Sequence, residues 1–441
     1  MQRTPQVVII GAGFAGLNAA KRLQSAPVRI TVLDRRNHHL FQPLLYQVAA
    51  AALNPSDIAM PIRHILRRQK NTEVLLGEVT EVDPAGKRVH LDVGSVSYDY
   101  LIIATGATHS YFGNEQWSRF APGLKTIEDA LIIRRRVLLA YEMAERERDP
   151  ELQQRWLNFI IVGAGPTGVE LAGALAEISR QTLERDFRRI DPTRARIILL
   201  EGAPRVLPPY PEDLSEAAKR QLIKLGVEVH TGAQVTSIDG EGAVIGSQRI
   251  PARTVIWAAG VAASPLARSL GVALDRAGRV VVEQDLSVPG HPEIFVVGDL
   301  AAAKSDGKPV PGVAPAAIQE GRHAALNIAR EIRGLGRLPF RYRDKGSLAT
   351  IGRAAAVADL GRVKFTGLIA WLAWLVVHIF YLIGFRNRML VLLEWAWSYL
   401  TTQRGARLIT GFPADEEVLA PPQAPAAPLP SAASKARVDS H

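Results

Sequence analysis

VVIIGAGFAGLNAAKRL at residues 7–23 and NFIIVGAGPTGVELAGAL at residues 158–175 are two copies of one pattern. In each copy an apolar strand leads into a glycine turn, and a helix follows whose N-terminal amides can hold a pyrophosphate. The first glycine allows the turn, the second lets the backbone approach the phosphates, and the third lets helix and strand pack closely. The glycines are Gly11, Gly13 and Gly16 in one copy and Gly163, Gly165 and Gly168 in the other. Two copies predict two dinucleotide sites in one chain, and electron transfer between the two dinucleotides.

An acidic residue ends the second strand of each predicted site. Asp34 follows strand 28–33, close to the roughly 20-residue spacing expected for the acid that binds a ribose hydroxyl. Glu201 follows the strand ARIILL, after an Arg- and Glu-rich insertion at 180–194 that predicts an extended helix and a loop. A carboxylate there accepts hydrogen bonds from a ribose diol and repels a 2′-phosphate. The sequence therefore predicts NADH in the second site, although Arg205 lies near enough to leave NADPH open.

Two further strands end in residues that can line a dinucleotide site. YDYLIIATGA at 98–107 is a buried strand followed by a small-residue turn, and EIFVVGDLA at 293–301 delivers an aspartate beside a helix start. An aspartate in that position can accept a hydrogen bond from a polyol hydroxyl. The residues at these strand ends are Thr105, Gly106, Gly298 and Asp299. The second strand returns the chain to its first unit.

A charged segment at about 126–149 predicts a helix between the two glycine turns. Its Arg134–Arg136 run, with alternating Glu and Arg after it, is typical of a solvated helix face. The His38–His39 pair has no companion ligands at suitable spacing, so we assign it to the loop before Phe41 and predict no metal site.

The composition limits the chemistry that the chain can perform. It has no cysteine, which excludes disulfides, thiolate metal sites, iron–sulfur clusters and a catalytic dithiol. The net charge of +10 predicts an anionic partner. We find no nucleic-acid-binding motif, so an anionic membrane surface is the favoured partner. The apolar stretch 7–20 is a strand feeding a nucleotide loop, not a signal peptide, which predicts a cytoplasmic catalytic body.

The C-terminal region predicts attachment to that membrane. Residues 365–385 form a stretch of 21 residues without Asp, Glu, Lys or Arg, flanked by basic residues and containing interfacial aromatics. A second apolar piece at 389–400 is too short to span and carries Glu394. Two helices lying in one leaflet are favoured, and a single span or a buried hairpin stays open. Residues 412–441, rich in Ala and Pro, are predicted to be disordered.

The combined motifs resemble type II NADH:quinone oxidoreductase, the single-subunit, non-proton-pumping NADH dehydrogenase. The glycine turns place the chain only in the larger two-dinucleotide-binding-domain flavoprotein group. The more specific segments are FQPLLYQVAA (41–50), GVELAGAL (168–175), AIQEG (317–321) and KGSLATIG (345–352). The resemblance extends over residues 6–411. It implies an α/β fold with two Rossmann-like dinucleotide-binding domains, as in glutathione reductase, and a C-terminal helical membrane-anchoring region.

The resemblance also implies how domains and cofactors are arranged. Non-covalent FAD would occupy a domain made of residues 1–115 and 290–360, and NADH a domain at 116–289. Residues 361–411 would form the anchoring helices, before the tail at 412–441. The FAD-binding residues would be Gly11, Gly13, Gly16, Asp34, Thr105, Gly106, Gly298, Asp299, Ala317 and Gln319, and the NADH-binding residues Gly163, Gly165, Gly168 and Glu201.

Three residues receive catalytic roles from the same resemblance. Glu170 would face the nicotinamide–flavin contact and handle protons or charge, although its position also suits a helix N-terminus. Gln319 would offer a donor and an acceptor to a quinone carbonyl, or cap a helix. Lys345 would lie near the flavin, where its charge would stabilise the reduced anion. A solvated surface lysine is the alternative.

The implied function is oxidation of NADH and two-electron reduction of a membrane quinone through FAD, without proton pumping. The missing cysteines exclude the disulfide reductases and sulfide:quinone oxidoreductases of the same group. A soluble NADH:acceptor reductase that serves a ferredoxin, and a slow NADH-sensing or scaffold flavoprotein, remain as alternatives. The enzyme would lie peripherally on the cytoplasmic face of the inner membrane, in the respiratory chain. A homodimer through the C-terminal helices is possible, and ubiquinone or menaquinone is left open.

Overall fold

The computed structural model describes residues 3–410 of the chain. Its helices, in chain order, are α1 (Phe14–Arg22), α2 (Leu45–Ala49), α3 (Pro55–Ile58), α4 (Ile62–Leu66), α5 (Ile127–Arg146), α6 (Pro150–Trp156), α7 (Pro166–Glu177), α8 (Glu212–Lys224), α9 (Ala314–Ile332), α10 (Gly367–Tyr381) and α11 (Phe385–Thr401). The tail predicted to be disordered, 412–441, lies outside the described residues.

The strands of the described chain are two to six residues long. In chain order they are β1 (Gln6–Ile10), β2 (Arg29–Asp34), β3 (His38–Leu40), β4 (Ala59–Pro61), β5 (Thr72–Leu76), β6 (Val79–Asp83), β7 (Arg88–Leu91), β8 (Ser95–Ser97), β9 (Tyr100–Ile103), β10 (Ala107–His109), β11 (Asn158–Val162), β12 (Arg196–Glu201), β13 (Val227–Thr231), β14 (Val235–Asp239), β15 (Gly242–Ile245), β16 (Gln248–Pro251), β17 (Thr254–Trp257), β18 (Val261–Ala263), β19 (Ser287–Val288), β20 (His291–Val296), β21 (Lys304–Ser305), β22 (Lys308–Pro309), β23 (Ser347–Gly352), β24 (Ala355–Asp359) and β25 (Lys364–Thr366).

Two sheets carry the two copies of the glycine pattern. The first has the order β19-β20-β9-β1-β2-β5, and β1 pairs in parallel with β2 and with β9. The second has the order β13-β12-β11-β17, and β11 pairs in parallel with β12 and with β17. In both sheets the strand before the glycine turn is therefore internal. Its continuous apolar sequence fits this position, because a parallel strand is covered on both faces.

The third glycine of each copy lies against the first at the same distance. A Cβ atom on Gly16 would lie 1.8 Å from the carbonyl oxygen of Gly11, and a Cβ on Gly168 would lie 1.8 Å from that of Gly163. No side chain fits in either gap. The close packing of helix on strand predicted for these glycines is therefore observed in both units.

The chain crosses between the two units twice. β10 and β18 pair in antiparallel register and form a two-stranded ribbon at the crossing. β19 and β20 then add to the edge of the first sheet, so the chain has returned to the first unit by Ser287. The second sheet is therefore built from residues that lie between two parts of the chain that build the first sheet.

The prediction of a solvated arginine run was wrong. The helix α5 ends at Arg146, and Asp149 caps a separate helix, α6. Arg134 and Arg135 are only 6% and 8% exposed, because α5 packs against α2 and α6. Arg136 donates hydrogen bonds to backbone carbonyls of Arg119 and Phe120. Charge alone did not identify the outer face of this helix.

The insertion at 180–194 is mostly loop. One π-helical turn at Ile178–Thr182 prolongs α7, and a short 3-10 turn at Pro192–Arg194 precedes β12. The extended helix expected there is thus limited to a single extra turn.

The two C-terminal helices are separated by a sharp bend. Gly384 has φ +90°, and a Cβ there would lie 2.2 Å from Met60 Cε. Neither helix, nor any other within residues 3–410, combines the length and hydropathy needed to cross a membrane. α10 packs on β24. Large apolar side chains remain exposed along both helices: Leu368, Ile369, Leu372, Val376, Phe380, Phe385, Met389, Leu393, Trp397 and Leu400.

The contact between α7 and β23 yields a prediction about stability. A Cβ on Gly173 would lie 1.6 Å from the carbonyl oxygen of Ile351. Replacing a helix-interior glycine by alanine normally stabilises a helix by about 0.5–1 kcal/mol. For Gly173→Ala we expect the opposite sign, a loss of about 1–3 kcal/mol in the free energy of unfolding, measured by denaturant titration.

Gly202→Ala is the matched control, because no atom lies within 4 Å of the added Cβ and Gly202 is not in the left-handed region. Equal stability of the two variants would contradict the described packing of α7 on β23.

Candidate active site

The first glycine turn holds an open cradle beside a fixed carboxylate. Gly11 has φ +92°, and a Cβ on Gly13 would meet no atom within 4 Å. One oxygen of Asp34 accepts a hydrogen bond from the backbone N–H of Ala12 at 2.7 Å, and the other accepts from Arg36 N–H at 2.8 Å. A carboxylate has further lone pairs, so Asp34 can still accept hydrogen bonds from a ribose.

The second glycine turn repeats this arrangement. Gly163 has φ +101°, and the space around Gly165 is again open. Glu201 Oε2 accepts from Ala164 N–H at 2.6 Å and Oε1 from Ala203 N–H at 2.8 Å. Glu201 lies at the end of β12, beside the turn, despite the insertion before that strand. The geometry expected of the acid is therefore retained.

Buried polar atoms near the first turn lack partners. Thr105 Oγ1, His38 Nε2 and His39 Nε2 are buried, and none has a hydrogen-bond partner within residues 3–410. His39 Nδ1 contacts the carbonyl oxygen of Ala12 at 2.8 Å, so Nδ1 carries the proton and Nε2 is an acceptor. Burial lowers the pKa of His39 to about 4 and keeps it neutral. These atoms fit a polar ligand that lies along the turn.

The turn after β20 meets both α1 and α9. Gly298 has φ +74°, and a Cβ there would lie 3.5 Å from Ala15 Cβ and 3.6 Å from Ala317 Cβ. The Gly298 N–H donates to the carboxyl of Glu320, which is 2% exposed. Burial raises the pKa of Glu320 to about 8. Asp299 follows and stays half-buried.

Sequence reasoning missed Glu320, although it lies within the AIQEG segment. The sequence pattern led us to assign an active-site role to the neighbouring Gln319 instead. Its Nε2 donates to the carbonyls of Pro315 and Arg343, and its Oε1 accepts from Arg343 N–H at 3.0 Å. Gln319 therefore ties α9 to the loop before β23. Lys345 lies two residues beyond Arg343 and is exposed.

Glu170 lies in the first turns of α7, where the second unit touches the first through α2. Its side chain is enclosed, and this burial raises its pKa to about 8. The backbone of Thr350 and the indole of Trp374 act in the opposite direction. At neutral pH Glu170 is therefore mostly protonated and can act as a proton donor.

A cavity of about 100 Å³ adjoins Glu170. A chain of hydrogen bonds lies along this cavity. Trp395 Nε1 donates to Gln47 Oε1 at 2.7 Å, and Gln47 Nε2 donates to Tyr46 Oη at 2.9 Å. Trp374 lines the same cavity. These residues come from three distant parts of the chain, and sequence reasoning did not bring them together.

Two family models match the chain. The pyridine nucleotide-disulphide oxidoreductase model covers residues 5–321, and the NDH2 C-terminal domain model covers residues 345–403. The first match contains both glycine turns, and the second contains β23 to α11.

Several curated relatives match nearly the whole chain. Type II NADH:quinone oxidoreductase Ndh of Mycobacterium tuberculosis is 50% identical over 424 residues, covering 92% of this chain and 91% of its own. NdhA of the same organism is 50% identical over 423 residues, with coverage of 92% and 89%. The type II NADH:quinone oxidoreductase of Staphylococcus haemolyticus is 31% identical over 378 residues, with coverage of 83% and 92%.

Solved structures share the fold. NDH2 from Plasmodium falciparum in complex with NADH has a TM-score of 0.84 at 22% identity, covering 93% of this chain and 100% of its own. The sulfide:quinone oxidoreductase of Aquifex aeolicus has a TM-score of 0.70 at 18% identity, with coverage of 87% and 92%. The relatives at 50% identity and the two matching family models go beyond the fold: this chain belongs to the type II NADH:quinone oxidoreductase family.

Proposed function

We propose that this chain oxidises NADH at the second glycine turn and reduces a membrane quinone to quinol with FAD bound at the first. The observation that carries the proposal is the position of Glu170, a buried carboxylic acid where α7 of the second unit meets α2 of the first. The reaction consumes one proton from water for each NADH, because hydride transfer supplies only one of the two hydrogens of quinol. A buried acid at this junction suits that requirement.

Bound FAD would supply the two-electron carrier between NADH and the quinone. The open space at Gly13, with the N-terminus of α1, would hold its pyrophosphate, and Asp34 its ribose. Asp299 would hold the ribityl chain, and Thr105 Oγ1 is a buried polar atom available to the ligand. The open space at Gly165, with Glu201 beside it, would hold NADH in the same manner. Glu320 fixes the Gly298 backbone behind the flavin site.

The exposed apolar faces of α10 and α11 support attachment to a membrane. Leu372, Val376 and Phe380 follow one another at helical spacing on α10, and all are exposed. We place these faces in the interfacial region of the lipid, with the basic residues near the helix ends on anionic headgroups. The protein would then lie peripherally on the cytoplasmic face of the inner membrane. A homodimer through these helices stays a prediction.

Stopped-flow spectroscopy tests the proposal as a whole. NADH should bleach the flavin of the purified protein, and a short-chain quinone should restore its colour without ferredoxin. Absence of bound flavin, or reoxidation only in the presence of a ferredoxin, would overturn it. A soluble reductase that serves a ferredoxin would not need the exposed apolar faces of α10 and α11.

Nucleotide preference should depend on Glu201. Glu201→Gln keeps one hydrogen-bond acceptor for Ala164 N–H but removes the negative charge that opposes a 2′-phosphate. We expect the ratio of kcat/KM for NADH to that for NADPH to fall by about tenfold or more, with unchanged FAD content. Asp34→Asn, at the matching position of the other site, should instead reduce FAD retention. A preference for NADPH in the unmutated enzyme would contradict the assignment.

Quinone reduction should follow the protonation of Glu170. Its pKa, raised by burial to about 8, keeps it protonated below that pH and ionised above. The rate of flavin reoxidation by quinone should therefore fall as the pH rises through 8. Glu170→Gln should slow this step by about 10²-fold and abolish the pH dependence. The control is FAD content, which should not change. A variant that keeps the full rate and the same pH profile would exclude the role.

Membrane binding should depend on the outward faces of α10 and α11. Burial of a large apolar side chain contributes about 1.5–3 kcal/mol, so Phe380→Glu together with Leu393→Glu should weaken co-sedimentation with anionic vesicles by about tenfold or more. NADH oxidation with a water-soluble quinone should persist. Val93→Glu is the control, because Val93 is 87% exposed at a hairpin of the first unit. Equal loss in the control would contradict the assigned face.

A further inference from the structure

Trp374 lies, with Ala370, on the inward face of α10, a helix whose opposite face is exposed. It is only 2% exposed, whereas Leu372 and Val376, on either side of it in α10, are 48% and 64% exposed. Its ring stacks on His378 at 4.2 Å between centroids and lies 5.4 Å from the ring of Trp395. The side chain therefore belongs to the interior of the protein, although its helix carries the proposed lipid-facing surface.

The indole N–H of Trp374 has no partner in hydrogen-bond geometry within residues 3–410. A buried donor left without a partner costs about 1–3 kcal/mol. The indole of Trp374 and the carboxyl group of Glu170 both line the cavity of about 100 Å³, and the indole is near enough to lower the pKa of Glu170. A cavity of that volume has room for water, which needs only about 10–15 Å³ of such space. The donor and the carboxyl group are thus placed for a direct or a water-bridged hydrogen bond.

We propose that Trp374 is a positioning residue for Glu170, donating its indole N–H to the carboxyl group directly or through one water. The aromatic stack fixes the indole, and α10 thereby completes the active site that α7 begins. The catalytic importance of this contact rests on the role of Glu170 proposed above. The contact between Trp374 and Glu170 does not depend on that role.

Trp374 has two opposite effects on Glu170. Its ring covers the carboxyl group and excludes water, which favours the neutral acid. Its N–H donates a hydrogen bond, which favours the carboxylate. The two effects come from different atoms of one side chain, so different substitutions separate them.

The other polar groups around the cavity are neutral or paired. Burial raises the pKa of Tyr46 and of Tyr210, and burial lowers the pKa of His378 to about 4. Glu177 and Arg404 form an ion pair at 3.1 Å. Arg353 donates to the Ser398 carbonyl and lies over the Tyr399 ring. The titratable and charged groups around Glu170 are Tyr46, Tyr210, Glu177, Arg353, Tyr399 and Arg404, and His378 is stacked on Trp374.

Infrared spectroscopy of the full-length flavoprotein measures the titration of Glu170 without relying on turnover. The carbonyl stretching band of a protonated carboxylic acid is followed across neutral and alkaline pH. Glu170→Gln identifies the band by its loss, and Glu320→Gln removes the second buried acid that titrates in the same range.

Two substitutions of Trp374 should move this titration in opposite directions. Trp374→Phe keeps the ring stack and loses the donor, so the midpoint should rise by about half to one pH unit. Trp374→Ala admits water, so the midpoint should fall towards the ordinary value of glutamate. Trp397→Phe, on the exposed side of α11, is the control and should leave the midpoint unchanged.

Shifts in the same direction, or no shift in Trp374→Phe, would overturn the proposal. If Trp374→Ala does not fold, as judged by thermal unfolding, the shift in Trp374→Phe decides alone. The proposed role of Glu170 is tested separately by the rate of quinone reduction in Glu170→Gln. A full rate there, with opposite infrared shifts, would remove the catalytic role and leave the contact intact. A slow rate of quinone reduction in Glu170→Gln, without the opposite infrared shifts, would support the catalytic role of Glu170 and exclude the contact with Trp374.

Discussion

The structure depends on backbone meeting backbone at two glycine turns. In both units the third glycine lies so close to the carbonyl of the first that a Cβ would come within 1.8 Å of its oxygen. Even a methyl group would push the helix away from its strand. The helix N-terminus would then no longer face the open space at the second glycine, and the acid at the end of the next strand would lose its hydrogen bond to the turn. Both nucleotide sites follow from this one packing constraint.

The same local structure is used differently in the two units because the helices have different neighbours. Asn18 occupies the position in the first copy that Glu170 occupies in the second. Asn18 is half-buried, and its side chain bonds to the Phe14 carbonyl and to Arg322. Glu170 is enclosed by elements from three other parts of the chain and becomes a neutral acid. The repeat supplies the frame, and the tertiary contacts around it supply the chemistry.

Features encoded over short stretches could be predicted from the sequence. The glycine turns, the acids at the ends of β2 and β12, and Gly298 and Asp299 after β20 all lie at the strand ends where they were expected. Each glycine turn is specified by one short stretch of strand, turn and helix. Glu201 lies further along the chain, but the end of β12 still places it beside the turn. Two C-terminal helices were also predicted, but the break between them lies at 382–384, inside the first predicted apolar stretch, where Gly384 has φ +90°.

Features that depend on long-range contacts could not be predicted in the same way. Arg134 and Arg135 read as a solvated run, because nothing near them in the sequence indicates that α2 and α6 cover that face. Glu320 follows Gln319, and only the position of the Gly298 turn shows that the Glu320 carboxyl is buried and accepts the Gly298 N–H. Tryptophan is a residue type common at membrane interfaces, so the sequence suggested that Trp374 contacts lipid. Its inward direction emerges only when α10 is placed on β24.

The packing of α10 has a consequence for what the C-terminal helices do. A helix that served only as an anchor would need one apolar face for lipid and no contact with the catalytic residues. α10 has an exposed apolar face and an inner face that closes the cavity beside Glu170. A ligand that binds α10 only when the helix is packed on β24 stabilises that packed conformation by linkage. If the outer face binds lipid as proposed above, that contact would stabilise the enclosed environment of Glu170 on the inner face, and the membrane surface would support the active site.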